Sequence, residues 1–184
     1  MGVDSAFKAV DRANFVREDT KPYAHFDTAL SIGHGQTISQ PFTVRLMLEW
    51  LDARPGQKVL DVGSGSGWST ALLSHIVGTK GKVYAVEKIP VLVEFGRQNC
   101  KRVGIKNAEF HEAGQTYGLP KHMPFDRILV SAAASQLPNE LVEQLKIGGK
   151  MVIPIGYSIF EVTRMGEDDF EAKEHEGFIF VPLI

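Results

Sequence analysis

The sequence is poor in cysteine, in excess charge of one sign and in long apolar runs. Cys100 is its only cysteine, so no intramolecular disulfide can form. Twenty basic residues oppose 22 acidic ones, and this near balance leaves no positive field to hold a nucleic-acid backbone. No apolar stretch approaches the ~20 residues of a membrane-spanning helix. The N-terminal stretch MGVDSAFKAVDRANFVRED carries charges where a signal peptide has an apolar core, so we expect a cytoplasmic protein.

Short apolar runs typical of strands alternate with runs of helical spacing from residue 58 onward. The pattern predicts strands at 58–63, 82–87, 108–113, 125–132 and 150–156, the last after turn glycines 148 and 149. Strands that are apolar along their whole length are typical of a parallel sheet covered on both faces. The predicted fold is therefore α/β, a Rossmann-like three-layer sandwich with a mostly parallel sheet.

Both ends of the chain depart from this alternation. Residues 157–164 and 177–184, YSIFEVTR and GFIFVPLI, are predicted strands with a turn at 165–169, which favours an antiparallel C-terminal hairpin. Upstream, residues 5–16 and 41–53 have helical spacing, and Pro41 suits the first turn of the second helix. No linker or repeat interrupts the chain, so we expect a single domain, residues 1–184.

The stretch VLDVGSGSGW places three glycines where the first core strand turns into a helix. Glycine allows positive φ angles and lets a ligand approach the main chain closely. A dinucleotide fingerprint needs G-x-G-x-x-G, and Trp68 stands where its last glycine belongs, which argues against a pyrophosphate cofactor. Glu87 ends the next strand and could accept hydrogen bonds from ribose hydroxyls. The alternative is a plain turn beside a surface charge.

A second unusual stretch, SIGHGQTISQ at 31–40, combines small residues with hydrogen-bonding side chains ahead of the first core strand. We assign a function to this stretch from its resemblance to a known protein family. The glycine loop followed by VYAVE resembles the S-adenosylmethionine loop of class I methyltransferases. IGHGQTISQP, FDRILVSAAASQLPNELVEQLKIGGKMVIPIG and FVPL are similar to protein-L-isoaspartate O-methyltransferases, and together the resemblance covers nearly the whole chain.

The resemblance implies S-adenosyl-L-methionine as the cofactor. It also implies methyl transfer to the free α-carboxylate of isoaspartyl residues in damaged proteins, a protein-repair reaction. Within the single domain it implies N-terminal helices with a substrate-covering segment at 1–53, a cofactor-binding core at 58–156 and the C-terminal hairpin at 157–184. The expected partners are isoaspartyl proteins or peptides, without nucleic acid or membrane, and the protein is expected to be a monomer.

Site residues follow from the same resemblance. The hydroxyls of Thr37 and Ser39 are expected to face the reacting carboxylate, and the alternative is that they only cap the helix at Pro41. Glycines of this segment are expected to let the backbone approach the substrate. The expected cofactor-binding residues are Asp61, Gly63, Ser64, Gly65, Ser66, Gly67, Trp68, Glu87, Lys88, Gly114 and Gln115. The expected substrate-binding residues are His34, Gln36, Ile38, Ala133 and Val181.

Two positions depart from the family pattern. Before GLP the family usually has Gly-Asp-Gly, whose aspartate accepts a hydrogen bond from adenine, but this chain has Ala113, Gly114 and Gln115. Either Gln115 supplies another acceptor, or packing and main-chain groups hold the adenine. Ser135 stands where the family often has proline, which bears on the choice of substrate.

The implied chemistry needs no catalytic base or metal. An isoaspartyl α-carboxyl has an unperturbed pKa of about 3.5, so it is already an anion at neutral pH. No histidine has another histidine at i+3 or i+4 or a cysteine partner, and we predict no metal site from His25, His34, His75, His111, His122 and His175. Two alternatives remain: a cofactor-binding relative without isoaspartyl activity, and another methyltransferase on the same fold.

Overall fold

The computed structural model describes residues 2–184 as a sheet of seven strands with helices against it and a separate small hairpin. The α-helices are α1 Val3–Ala9, α2 Pro41–Leu51, α3 Trp68–Val77, α4 Pro90–Arg102 and α5 Asn139–Glu143. The strands are β1 Leu30–Gly33, β2 Gln36–Ile38, β3 Lys58–Val62, β4 Lys82–Glu87, β5 Ala108–Glu112, β6 Phe125–Val130, β7 Leu145–Ile155, β8 Ser158–Arg164 and β9 Phe170–Glu176. Short 3₁₀ helices cover Arg12–Phe15, Lys21–Tyr23 and Pro120–His122.

The main sheet has the order β5-β4-β3-β6-β7-β8-β9. Strands β3 to β7 run parallel, and β8 and β9 join antiparallel at one edge. This confirms the predicted mostly parallel α/β sheet with antiparallel C-terminal strands. The chain leaves β3 toward β4 on one side and returns to β6 on the other, so a crevice opens at the carboxyl ends of these strands.

Two apolar cores lie on opposite faces of the sheet. The larger core packs α1 to α4 against one face, with Leu72, Ile76 and Leu92 fully covered. The smaller core lies under α5 and contains Phe125 and Leu141. Pro41 and Pro90 begin α2 and α4, where a missing N–H breaks no helical hydrogen bond. Because each core covers one face, the inner parallel strands β3, β4 and β6 are mostly apolar on both sides, whereas the edge strand β5 also presents Glu109 and His111.

Three local predictions differ from the structure. Residues 177–184 do not form a regular strand, and the polar stretch 170–176 pairs with β8 instead. Apolar side chains of the tail, Phe178 and Phe180, pack against the larger core. The first helix ends at Ala9 and continues only as the 3₁₀ turn at 12–15. The last core strand starts at Leu145, and residues 146–149 bulge out of its pairing with β6.

Within residues 2–184, the structure shows the environment of Cys100 and whether any helix could span a membrane. Cys100 is buried in α4, and burial raises the pKa of its thiol to about 12, so it is a packed side chain and a poor nucleophile. No helix in this part of the chain is both long enough and apolar enough to cross a bilayer.

Candidate active site

The crevice at the carboxyl ends of the parallel strands is lined by the segments that follow β3, β4, β5 and β6. Its walls include the glycine loop, the end of β4, residues 113–118 and the start of the segment after β6. The β1–β2 hairpin and the chain end close it from the other side, through residues that include Ile32, Gln36, Thr37, Val181, Pro182, Leu183 and Ile184. Ligands of open α/β sheets bind at this position.

The glycine loop is tied to the end of β4 by Glu87. Glu87 Oε2 accepts a hydrogen bond from the Gly65 N–H at 2.9 Å, and Oε1 accepts one from the Ile89 N–H at 3.0 Å. The side chain is buried, so Glu87 is not the surface charge of the alternative reading. Gly63 and Gly65 adopt φ angles of 75° and 50°, which only glycine takes up without strain. The carboxylate thus lines the crevice and holds the loop in shape.

The predicted cofactor residues fall into two groups by position. Gly63, Gly65, Glu87, Lys88, Gly114 and Gln115 line the main crevice, and Ser64, Ser66 and Trp68 line a smaller adjoining pocket with Gly63 and Gly65. Asp61 and Gly67 line neither cavity. A Cβ at Gly67 would lie 2.8 Å from the Gly96 carbonyl oxygen, so this glycine serves the close packing of α3 against α4.

Asp61 supports the glycine loop from outside the cavities, through hydrogen bonds to α3. Its Oδ2 accepts hydrogen bonds from Ser69 Oγ at 2.8 Å and Thr70 Oγ1 at 2.6 Å, which joins the end of β3 to the first turn of α3. Burial raises the pKa of its carboxyl to about 6, although the two hydroxyls oppose this shift. A carboxylate so enclosed positions the loop through α3.

The outer end of the crevice contains the departure seen in the sequence. Ala113, Gly114 and Gln115 line the crevice without a carboxylate among them. Glu140, at the start of α5, also lines the crevice and accepts a hydrogen bond from the Tyr117 N–H at 2.9 Å through Oε2. The outer end of the crevice therefore does contain a carboxylate, but α5 supplies it through Glu140 in place of residues 113–115.

The stretch 31–40 forms most of the β1–β2 hairpin. Ser31 pairs with Thr37, and the turn between the strands places Gly33, His34 and Gly35 at φ angles of 89°, 55° and 72°. The turn thus accounts for these glycines through their φ angles, and the expectation that they bring the backbone to the substrate stays a prediction. Ile32 and Ile38 point into the core, and Thr37 lies at the meeting point of three cavities.

Arg12 fastens this hairpin to the rest of the N-terminal segment. Its buried guanidinium donates to the carbonyl oxygens of Ala24 at 2.8 Å, Thr28 at 2.9 Å and Ser39 at 3.1 Å. Burial lowers the pKa of Arg12 to about 10, with Asp27 opposing the shift, so the group stays charged at neutral pH. Sequence patterns gave no signal for this residue, because carbonyl partners leave no trace in the sequence.

The capping alternative for Thr37 and Ser39 is not what the structure contains. Helix α2 has Gln40 at its N-cap without a side-chain capping bond. Asp27 takes this role from a distance, since its Oδ1 accepts from the Phe42 N–H at 2.8 Å and its Oδ2 from Gln40 Nε2 at 2.8 Å. Thr37 and Ser39 instead line the cavities.

Two further cavities adjoin the crevice near these hydroxyls. Both are lined by Thr37, Ser39 and Ser131, and neither contains an acidic, basic or histidine side chain in its lining. Ser131 follows β6 and was not singled out from the sequence, although it lies in the VSAAA stretch that carried the resemblance. The linings of both cavities therefore share three hydroxyl-bearing residues and include no charged side chain.

The remaining predicted substrate residues have mixed positions. Gln36, Ile38 and Val181 line the cavities. Ala133 does not line them; it pairs with the chain end, donating to the Val181 carbonyl and accepting from the Leu183 N–H, both at 2.8 Å. His34 is exposed at the hairpin turn and lies outside the cavity linings. Ala133 thus holds the tail that forms one wall.

A sequence model of the protein-L-isoaspartate(D-aspartate) O-methyltransferase family matches residues 2–184. The chain belongs to this family. A protein-L-isoaspartate O-methyltransferase of Pyrococcus horikoshii is 46% identical over 187 aligned residues, which cover 99% of this chain and 84% of the relative. Its counterpart in Methanopyrus kandleri is 44% identical, over 99% of this chain and 83% of its own length.

Solved structures of the isoaspartate methyltransferase family agree. One from Plasmodium falciparum, assigned as a protein-L-isoaspartate O-methyltransferase and in complex with S-adenosyl-L-homocysteine, superimposes with a TM-score of 0.88 at 29% identity. The superposition covers 99% of this chain and 89% of that one. The predicted family, the α/β fold and the class of S-adenosylmethionine-dependent methyltransferase are therefore confirmed.

Proposed function

We propose that this protein methylates the free α-carboxylate of isoaspartyl residues in damaged peptides and proteins, with S-adenosyl-L-methionine as the methyl donor. Family membership over residues 2–184 supports this reaction. The observation that carries the proposal is the pair of uncharged, hydroxyl-lined cavities that share Thr37 with the glycine-loop crevice. A carboxylate acceptor needs hydrogen-bond donors at this point and no base.

The crevice fits a nucleoside that carries an amino-acid tail. A Cβ at Gly65 would lie 3.2 Å from Ile32 Cδ1, so the glycine loop packs closely against the hairpin beside the crevice. Ser64 Oγ is buried and has no hydrogen-bond partner among the described residues, which leaves it free for a ligand. Glu87 would hold the ribose hydroxyls, and Glu140 or Gln115 would face the adenine. When bound, the cofactor supplies an electrophilic methyl group on a positively charged sulfur.

The residues around the acceptor would act by position and by exclusion of water. Thr37, Ser39 and Ser131 can donate to the carboxylate and set its direction of approach. The buried hairpin isoleucine Ile38 and the tail shield the reacting charges from solvent, which otherwise weakens their attraction. No proton has to leave the acceptor, because an ordinary α-carboxyl is ionised at neutral pH.

The product explains a repair role. A methyl ester carbonyl is more electrophilic than a carboxylate and carries methoxide as a leaving group. The neighbouring peptide nitrogen can therefore attack this carbonyl, and its proton leaves with the methoxide as methanol. The resulting succinimide takes up water at either carbonyl and returns part of the material as normal aspartate. We further propose a cytoplasmic monomer whose partners are peptides, with the near balance of 20 basic and 22 acidic residues as support against nucleic acid.

Radiolabelled methyl transfer to an isoaspartyl peptide, beside the same peptide with normal aspartate, tests the proposal. We expect base-labile label on the isoaspartyl peptide alone. Binding of S-adenosyl-L-homocysteine without transfer to either peptide would instead support a cofactor-binding relative without this activity, which the missing carboxylate at 113–115 favours. Equal transfer to both peptides would indicate another methyltransferase on the same fold.

A further inference from the structure

Outside the active site, one group of side chains has the composition of a metal site. Glu109, His111 and His122 each place a carboxylate oxygen or a ring nitrogen so that the three atoms lie within 4.8 Å of one another. It is the one group of three such residues in the part of the chain that the structure describes. The sequence expectation of no metal site considered helical spacings and cysteine partners only, whereas these residues meet through a strand and a distant turn.

The geometry of β5 explains why the first two ligands converge. Glu109 and His111 are two residues apart on this strand, so their side chains leave the same face of the sheet. Glu109 Oε1 lies 3.0 Å from His111 Nε2. Two ligands of a tetrahedral zinc ion, each about 2.0–2.2 Å from it, are separated by roughly 3.4 Å, so only a small adjustment is needed.

The third ligand comes from the 3₁₀ helix at 120–122. The His122 ring lies over Tyr84, with centroids 4.6 Å apart, and its centroid is 5.3 Å from that of His111. Tyr84 pairs with Glu109 in the sheet and gives the histidines a flat apolar support. His111 Nε2 is buried, and the neighbour it has there is the carboxylate oxygen Glu109 Oε1, 3.0 Å away. A metal ion bound between these atoms would satisfy the buried nitrogen and the carboxylate together.

The second oxygen of Glu109 has its own partner. Lys82 Nζ lies 3.2 Å from Glu109 Oε2, so the carboxylate can bind a metal through Oε1 while Lys82 orients it through Oε2. The positive charge of Lys82 lowers the affinity for a cation but does not occupy the ligand atom. Two imidazoles and one carboxylate suit zinc and its neighbours in the transition series, and leave one position for water.

We propose that Glu109, His111 and His122 form a binding site for a divalent transition-metal ion, with Zn²⁺ as the natural candidate. The site would join β5 to the turn at 120–122 across residues 113–119. Most of that loop lines the outer end of the cofactor crevice, from Ala113 to Gly118. A bound ion would shorten the free loop and restrict its motion, so we expect it to tighten cofactor binding. This coupling rests on the proposed function, whereas the metal site itself does not.

Calorimetric titration of the EDTA-treated protein with ZnCl₂ tests the site directly. We expect one ion per chain, and a loss of affinity of about 10–100-fold or more in His111→Ala and in His122→Ala. His25→Ala is the matched control, because His25 also lies near a carboxylate, 3.8 Å from Asp11 Oδ1, but is exposed and has no second histidine. Its affinity for zinc should equal that of the parent protein.

Two further measurements keep the outcome decisive. Melting temperatures without metal identify a variant that has lost its fold, and His111→Gln and His122→Gln then replace the alanine variants. Visible absorption of the Co²⁺ form should show four-coordinate geometry in the parent protein and in His25→Ala only. Absence of stoichiometric zinc binding, or an equal loss in His25→Ala, would overturn the site. S-adenosyl-L-homocysteine affinity that zinc leaves unchanged would overturn the coupling alone.

Discussion

The main-chain N–H of Gly65 donates to Glu87 Oε2 at 2.9 Å, so the carboxylate that ends β4 fixes the shape of the loop that follows β3. Its other oxygen is taken by the Ile89 N–H. Both oxygens therefore accept hydrogen bonds from backbone donors, and the side chain also lines the crevice. The loop and its ligand would depend on the same side chain.

Glu87→Gln should weaken binding of S-adenosyl-L-homocysteine by roughly 10–100-fold, the value of one charge-assisted hydrogen bond of about 1.5–3 kcal/mol. Glutamine replaces one carboxylate oxygen with an NH₂ group, which would then face the N–H of Gly65 or Ile89 as a second donor. Glu112→Gln is the control, since Glu112 pairs with Glu87 across β4 and β5 but is exposed. Calorimetric titration of both variants checks this, and unchanged affinity in Glu87→Gln would contradict the role given to Glu87.

Gly67→Ala should destabilise the fold beyond the cost of a positive φ angle. The added Cβ would lie 2.8 Å from the Gly96 carbonyl oxygen, so α3 and α4 would have to separate, at about 1–3 kcal/mol. Gly104→Ala is the matched control, because Gly104 has a φ of 80° and open space around it. Urea denaturation measures both, and equal losses of unfolding free energy would show that the contact with α4 costs nothing.

The parts of the site that could be predicted are those whose causes are local. Gly63 and Gly65 are required by a strand-to-helix turn, and Glu87 by the end of the next strand, so short stretches of sequence contain the signal. Arg12 and Asp27 could not be found in this way, because their partners, mostly backbone groups, lie 12 to 27 residues away. Nothing in the spacing of residues indicates such contacts.

The strand predictions failed at the C-terminal end for a physical reason. GFIFVPLI has the composition of a strand, but its phenylalanines pack against the larger core and Val181 and Leu183 bond to Ala133. FEAKEHE lacks that composition, yet it pairs fully with β8 because an edge strand can keep polar side chains in water. Tertiary pairing overrides composition at both segments.

Ser39→Ala should reduce methyl transfer strongly while leaving the melting temperature unchanged. Ser39 lines the uncharged cavities, and the capping of α2 belongs to Asp27. Asp27→Ala should show the opposite pattern, a lower melting temperature with activity per folded molecule retained. Single-turnover rates and thermal melts on both variants decide the assignment. A destabilised but fully active Ser39→Ala protein would return Ser39 to a structural role.

Arg12→Lys should loosen the hairpin without unfolding the sheet. A lysine ammonium cannot span the carbonyls of Ala24, Thr28 and Ser39, and each lost charged hydrogen bond is worth roughly 1.5–3 kcal/mol. Amide hydrogen exchange should accelerate at 28–39 and stay unchanged in β3 and β6. Arg17→Lys, at an exposed pair with Asp19, is the control. Uniform acceleration throughout the sheet would contradict a local role for Arg12.

Asp61→Asn should change the pH dependence of stability with a defined sign. The folded carboxyl has a pKa of about 6 against 3.8 when unperturbed, so its contribution to stability is complete below pH 3.8 and is lost as the pH rises through 6. Relative to the parent protein, Asp61→Asn should therefore gain roughly 3 kcal/mol of unfolding free energy between acidic and neutral pH. Urea unfolding at pH 4 and pH 7.5 measures the difference. If Asp61→Asn gained unfolding free energy relative to the parent protein as the pH fell from 7.5 to 4, the burial argument would be refuted.

Strand β9 forms one edge of the sheet, and its charged side chains Glu171, Lys173, Glu174 and Glu176 are exposed. Only His175 of this strand is partly buried, and its ring stacks on that of Trp50 with centroids 3.9 Å apart. The outer row of N–H and C=O groups is therefore flanked by charges on both sides of the strand. A second β-strand that approached this edge would have to bring its own side chains against these charges and strip them of water. The edge resists strand addition, which should keep concentrated solutions free of sheet-to-sheet aggregates as long as β9 remains folded.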